Sequence, residues 1–499
     1  MNRDWPSELA HARAAHSAGA FARASRRLEP ALSDPTAPDE ALRLLVASLR
    51  AQGRAGDAVP ALAALVGRQP ASSVAEHNLA AALGDCGRAT ESEQAARRAF
   101  AKGGRAPETA LVLGRALMGQ GRLVEAEDVF RSALRLREDF LPALRDLAQL
   151  VWMRDGDIEK LLGTLTPLEE MARDREDAAL LLSSILRETA GDQAALDSLE
   201  PWLGRGSVEV ALTAAAASSG LDPALALEHA RRALAKAPSD PRAALGLCAA
   251  LIASGRAGEA IPGLERHLAA DPGDQYARAL LLTAWRLTGD ARAPTPEDYG
   301  RLVRVYRLGS GEEADRAAWL ERVASALRRL HPFRTHPFQQ SVRDGAQSMI
   351  DPRAAGDPDI DRLFVALREP VDSYIAGVRP PWMGWPEGAA WRISGAWSVR
   401  LGAGGRHTDH VHPRAWVSSA VYIETPPEVD GGDRAGWLRF GAARIGAAFG
   451  LPAEHWVRPE PGTLVLFPSC LWHGTEPFRG PGERLTVAFD IEPDRTHQS

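Results

Sequence analysis

Over roughly the first 295 residues, apolar positions return every three or four residues among Arg, Glu and Gln, which is the period of amphipathic helices. Stretches such as EAEDVFRSALRLRED after Gly121, LALEHARRALAKAPSD after Gly220 and EAIPGLERHLAADPGD after Gly255 gather Ala, Leu and Phe on one stripe. Later the pattern changes. Trp, Pro and His become frequent, and apolar residues alternate or run in short blocks, as in WSVRL, WVSSAVYIE, TLVLFP and RLTVAFDIEP. These blocks predict strands, and LGAGGR between two of them predicts a turn. The expected fold class is multidomain α + β, an N-terminal helical solenoid followed by an antiparallel barrel or jelly roll. The expected boundaries are 1–295 for the solenoid, 296–335 for a helical linker and 336–499 for the β domain.

Glycines punctuate the helical part at Gly19, Gly53, Gly87, Gly121, Gly156, Gly191, Gly220, Gly255 and Gly289, at intervals of 34, 34, 34, 35, 35, 29, 35 and 34 residues. Each is expected to end the first helix of a hairpin with φ > 0, and the stretch after it to begin the second. Arg54, Arg88, Arg122 and Arg256 follow turn glycines and read as solvated turn residues. A lone hairpin cannot bury its stripe, so the units must stack. Over roughly residues 8–292 this periodicity resembles the tetratricopeptide repeat family, with Ala in place of most of the family's Trp and Tyr. The 29-residue interval predicts a degenerate repeat. Such an array implies a groove for a protein or peptide partner, or else a scaffold without chemistry.

Charge adds an exclusion. With 59 basic and 65 acidic residues, a net charge of −6 and no long run of one sign, nothing points to nucleic acid or to a membrane surface. Cys86, Cys248 and Cys470 are too few and too scattered for a disulfide framework or a Cys-rich zinc site, which suits a reducing cytoplasm. The N-terminal stretch lacks an apolar signal core, and no uncharged apolar run is long enough to span a bilayer. The expectation is a soluble cytoplasmic protein.

The chemistry gathers after residue 400. In an extended segment His410 and His412 project to one side, and His473, placed at the end of the strand TLVLFPSCLW, is the natural third imidazole. Three protein ligands leave open positions on a metal, as oxygen chemistry requires. Alternation in RLTVAFDI puts Arg484, Thr486 and Ala488 on one face, where Arg484 can hold a dicarboxylate through two parallel hydrogen bonds, helped by Thr486.

LGAGGRHTDHVHP resembles the Fe(II)- and 2-oxoglutarate-dependent oxygenases. More narrowly, HVHPRAWVSSAVYIETP, LVLFPSCLWHGTEPF and ERLTVAFDI are similar to a 2-oxoglutarate oxygenase family often fused to tetratricopeptide repeats, and HPFQQSVRDGAQS (336–348) matches its upstream element. The resemblance covers about residues 330–493. It implies a double-stranded β-helix, Fe(II) on His410, His412 and His473, 2-oxoglutarate on Arg484, O2 as the oxidant, ascorbate as an aid, and hydroxylation as the reaction. The wider superfamily carries a carboxylate where this chain has His412. His407 and Asp409 spell the alternative His-x-Asp pair; the count from Gly405 and the narrower family's His-x-His-Pro favour His410 and His412, with Asp409 then available to orient an imidazole.

Other residues carry weaker expectations. Tyr422 reads as either a hydrogen-bond partner of the cosubstrate or a core tyrosine, and Gln340, Ser341, Arg343 and Gln347 as pocket lining or as a solvated loop. Trp397, Trp416 and Trp472 are expected in the core, and Cys470 as buried packing. Two rival functions stand beside the oxygenase: a non-catalytic repeat scaffold with a degenerate barrel, and a cupin-like metalloenzyme that does not use 2-oxoglutarate.

Overall fold

The computed structural model describes residues 3–309, 313–378, 381–383, 385–386, 388–445 and 451–494. Its two compact units divide between Leu150 and Val151, inside the helix Leu141–Asp155. The first unit consists of helical hairpins. The second holds further hairpins together with the strands.

The glycine rhythm has a local cause. Gly19, Gly53, Gly87, Gly121, Gly156, Gly191, Gly255 and Gly289 each follow a first helix with φ between 64° and 97°, a region that costs an L side chain energy. Gly220 alone among the nine does not take positive φ. It closes the short interval, in which the second helix, Asp192–Ser198, has 7 residues against 14 in Pro223–Lys236 and Ala257–Ala270. Arg54, Arg88, Arg122 and Arg256 each pair with the acid three residues on, at the solvent-facing start of the second helix. Asp240 and Asp274, at the ends of PSD and PGD, open the next helices by accepting backbone N–H bonds from Arg242 and Ala277.

The described strands are β1 Arg304–Arg307, β2 Val342–Gln347, β3 Trp391–His407, β4 Val417–Glu424, β5 Leu438–Phe440, β6 His455–Val457, β7 Thr463–Pro468, β8 His473–Thr475 and β9 Arg484–Pro493. They form two antiparallel sheets, in the order β1-β7-β4-β9-β3-β2 and β6-β5-β8. Phe440 of the small sheet packs edge-on against Phe467 of the large one, with ring centroids 4.9 Å apart. This is the jelly-roll arrangement.

Three details depart from the sequence reading. LGAGGR is not a free turn but the irregular end of β3, facing a register shift in β2 between Arg343 and Gly345. A Cβ on Gly405 would stand 2.6 Å from the Gly402 carbonyl oxygen and 2.9 Å from that of Asp344, so this bulge admits only glycine there. His473 does not end the TLVLFP strand: β7 stops at Pro468, which has no N–H to continue a ladder, and His473 opens β8 in the other sheet. Lastly, the segment expected as a helical linker contributes the edge strand β1, which pairs with β7, and the helix Glu313–Arg328, which lies against β4.

The later repeats and the barrel share one apolar core, from Leu251 and Leu280 through Trp416 to Phe489. The helix Gln275–Thr288 is buried on most of its surface, and it anchors both segments that carry the histidine trio. The Gln275 N–H donates to the Pro413 carbonyl at 3.2 Å, and the Trp472 indole N–H donates to Thr283 Oγ1 at 3.1 Å.

Two buried histidines couple this core to pH. Burial, with Arg400 adding to it, pushes His331 down to about 4, and burial with Arg343 does the same to His336. His331 is 8 % exposed and bonds Ser398 Oγ of β3 at 2.9 Å. The unfolded chain binds a proton near pH 6.5, more tightly than the folded one, so this stability is whole above that pH and is lost as pH falls through about 4. The melting temperature should drop over that window by an amount corresponding to about 3 kcal/mol per histidine, and His331→Gln should flatten the drop.

Candidate metal centre

His410 and His412 lie on the irregular stretch between β3 and β4, and His473 begins β8. A two-way backbone bridge joins them: the His410 N–H donates to the His473 carbonyl at 2.9 Å, and the His473 N–H donates to that of His410 at 3.0 Å. The imidazole centroids stand 4.2 Å apart for His410 and His473 and 5.1 Å apart for each of the other two pairs. One ring nitrogen from each lies within 4.8 Å of the others, and Nε2 of His410 is 3.1 Å from Nε2 of His412.

Every Nδ1 of the trio is occupied by an oxygen: the Thr408 carbonyl at 2.8 Å for His410, Asp490 Oδ1 at 2.7 Å for His412 and the Leu471 carbonyl at 2.9 Å for His473. Donation from Nδ1–H leaves each Nε2 lone pair facing the common point, the tautomer a metal requires. Burial, with His412 next, pushes His410 down to about 3; burial, with His410 next, puts His473 well below the usual range. Both imidazoles are therefore neutral at pH 7.

The alternative pair is engaged elsewhere. Asp409 is held in a two-point ion pair by Arg439, at 2.6 and 2.9 Å, and is not one of the clustered ligand residues. His407 Nδ1 bonds Ser341 Oγ at 2.9 Å. The carboxylate that orients an imidazole is Asp490, which also accepts from Ser418 Oγ at 2.8 Å. Asp490 sits six residues after Arg484 on the same face of β9, so strand parity alone could have found it.

Beside the trio, a cavity of about 590 Å³ is lined by Trp397, Thr475, Arg484, Thr486 and Asp490, among others. Arg484 is 2 % exposed, and no carboxylate lies within 4 Å of it among the described residues. Its Nη2 donates to the Tyr422 hydroxyl at 3.4 Å, whereas Nε and Nη1 have no hydrogen-bond partner. Thr475 Oγ1 is a third buried polar atom without a partner. Tyr422 does not line the cavity; it is fully buried and backs Arg484, whose guanidinium lies 5.0 Å from its ring centroid. Gln340, Ser341, Arg343 and Gln347 do line it.

Trp416 is buried in the core, while Trp397 is only partly buried and stands 5.7 Å from the His412 ring. Cys470 is buried, and burial pushes its thiol up to about 12, too high to offer a thiolate. A residue that no local reading could find is Glu188 of the helix Glu176–Thr189. It lines the same cavity and pairs with Arg343 at 3.0 Å.

The donors fit the groups that the sequence suggests. Three converging imidazole nitrogens suit a divalent transition metal with open positions, and buried guanidinium N–H groups without partners suit a carboxylate.

Residues 395–490 match the family model described as "Putative 2OG-Fe(II) oxygenase", and residues 219–282 match that for the tetratricopeptide repeat. Among solved structures, a prolyl-4-hydroxylase of Pseudomonas putida is 19% identical, with 40% of this chain and 97% of that chain covered, at a TM-score of 0.28. MamA (41-end) of Desulfovibrio magneticus RS-1 is 16% identical, covering 35% and 98% at a TM-score of 0.32, and yeast Tom70 is 15% identical, covering 55% and 59% at 0.41. No curated protein matches. Among the described residues, no helix is long and apolar enough to cross a membrane. Two family models thus match parts of this chain, the tetratricopeptide repeat over residues 219–282 and the 2OG-Fe(II) oxygenase over residues 395–490.

Proposed function

We propose that this protein is a non-haem Fe(II), 2-oxoglutarate-dependent dioxygenase that hydroxylates a substrate C–H bond, with its repeats binding the partner or substrate. The observation that carries this reading is the convergence of one ring nitrogen from each of three imidazoles beside a cavity that also contains the unpartnered N–H groups of Arg484.

His410, His412 and His473 would hold the metal, and Arg484, helped by Thr486, would hold the far carboxylate of 2-oxoglutarate. Bound together with O2, these groups supply the oxidising power that places one oxygen atom in a C–H bond and leaves succinate and CO2. The chain's own residues position and enclose them. Asp490 fixes the ring of His412 and brings a carboxylate next to a ligand set that carries none of its own. Tyr422 braces Arg484. A cytoplasmic location belongs to the same proposal, supported by three cysteines free of disulfides.

The test is succinate formation by the full chain from 2-oxoglutarate with Fe(II), O2 and ascorbate, abolished by chelator. Metal-dependent 2-oxoglutarate binding is measured alongside, because turnover without substrate is slow. Absence of both would end the proposal. Asp490→Asn should weaken Co(II) binding about 10–100-fold while leaving the fold intact, as read by titration of the metal's absorption bands.

A further inference from the structure

We infer that the groove of the later repeats and the metal cavity form one channel, and that it takes an extended, acidic polypeptide segment as substrate. This rests on the oxygenase reading and gives it a substrate class.

A second cavity, about 710 Å³, is lined by residues of the helices Val208–Ser218 and Pro241–Ala253 and by Asp409 and residues 443–445 of the β domain. Asp409 and Arg444 line this cavity and the metal cavity alike, so the two meet. Together they hold more space than the roughly 300–1,000 Å³ of a small-ligand pocket, enough for a length of chain. Ala215, Ala216, Gly246 and Ala249 line the groove and let an occupant's main chain come close to the helices.

Charge narrows the occupant. Within the groove, Arg187 pairs with Asp192 at 2.9 Å, Arg242 with Asp240 and Glu209, and Asp409 with Arg439. Besides Arg484, two guanidiniums remain. Arg444, at the junction of the cavities, touches only Thr408 Oγ1 at 3.4 Å, and Arg414 lines the metal cavity; both are exposed, and neither has a carboxylate within 4 Å among the described residues. An incoming carboxylate side chain meets unmatched positive charge just where the segment would approach the metal. A nucleic acid strand fits less well, because Asp192 and Asp409 line the same walls and the chain is net negative.

The test is fluorescence anisotropy on the full chain with three labelled 12-residue peptides of matched length, one acidic, one uncharged and one basic, with a poly-dT oligonucleotide as competitor. The acidic peptide should bind at least about tenfold more tightly than the other two. Arg444→Glu should weaken it about tenfold, and Ala249→Trp, which fills the groove, should do likewise. Leu221→Asp, at a groove position 47% exposed, provides a variant that folding does not oppose and should also weaken the acidic peptide. Equal binding of the three peptides, no binding, or indifference to Arg444→Glu and Leu221→Asp would overturn the channel. Displacement of the acidic peptide by low concentrations of poly-dT would assign the groove to nucleic acid instead. Since binding is read without turnover, peptide binding with neither succinate formation nor metal-dependent 2-oxoglutarate binding sinks the oxygenase reading and leaves the groove, and succinate formation without peptide binding sinks the channel alone.

Discussion

Replacing His473 by alanine should abolish metal-dependent succinate formation and weaken divalent metal binding by roughly 100-fold or more, beyond the 10–100-fold that loss of an outer partner costs. The reason is geometric. His473 is the only member of the trio on the small sheet, and its backbone bridge to His410 makes the two ring positions interdependent. His473 also packs on Phe467, with centroids 4.6 Å apart, so alanine leaves a void costing on the order of 2–4 kcal/mol. His473→Asn keeps most of the volume and separates the two effects. Metal titration should show the same loss in both variants, while the melting temperature falls chiefly in the alanine variant. Full metal binding in a folded His473→Asn variant would remove the trio as the metal site.

Arg484→Met should move two measurements in opposite directions. The guanidinium is buried with two of its nitrogens lacking partners, an arrangement that costs the ligand-free fold, so a methionine of similar length should raise the melting temperature of the unliganded protein. The same change should lower 2-oxoglutarate affinity about 10²–10⁴-fold, since two charge-assisted hydrogen bonds of about 1.5–3 kcal/mol each are lost. Thermal shift with and without 2-oxoglutarate reads both effects in one experiment. A merely structural arginine would give only the first. Unchanged metal-dependent activity in Arg484→Met would point to a metalloenzyme that does not use 2-oxoglutarate, and absence of metal binding in the native chain would leave a repeat scaffold.

Much of this could be read along the chain because the relevant signals are local. A turn that needs φ > 0 leaves a glycine every 34 or 35 residues, and the one short interval coincides with a second helix of half the usual length. Two-residue alternation brought His410 beside His412 and put Arg484, Thr486 and Ala488 on one face. The same parity reaches Asp490, and following β9 two residues further would have named it.

What stayed illegible depended on where strands end and what packs behind them. LGAGGR has turn composition, yet the partner β2 keeps it in the sheet as a bulge. For Tyr422 the structure favours the core reading of the two, and Trp397 lines the cavity instead of the core, because burial on a strand is settled by the layer behind it, here Arg484 for the tyrosine and the open cavity for the tryptophan.

The order of the chain by itself therefore determined the helical repeat, the strand-rich C-terminal part and the residue types able to bind a metal and a carboxylate, since periodicity and spacing act over a few residues. Only the tertiary structure decided that Asp409 is spent on Arg439 while Asp490 holds His412, and that repeat residues Glu188, Gln275 and Thr283 reach the β domain. Those pairings join residues 30 to 189 positions apart, and such distances are closed by packing of the shared core rather than by any local preference of the backbone.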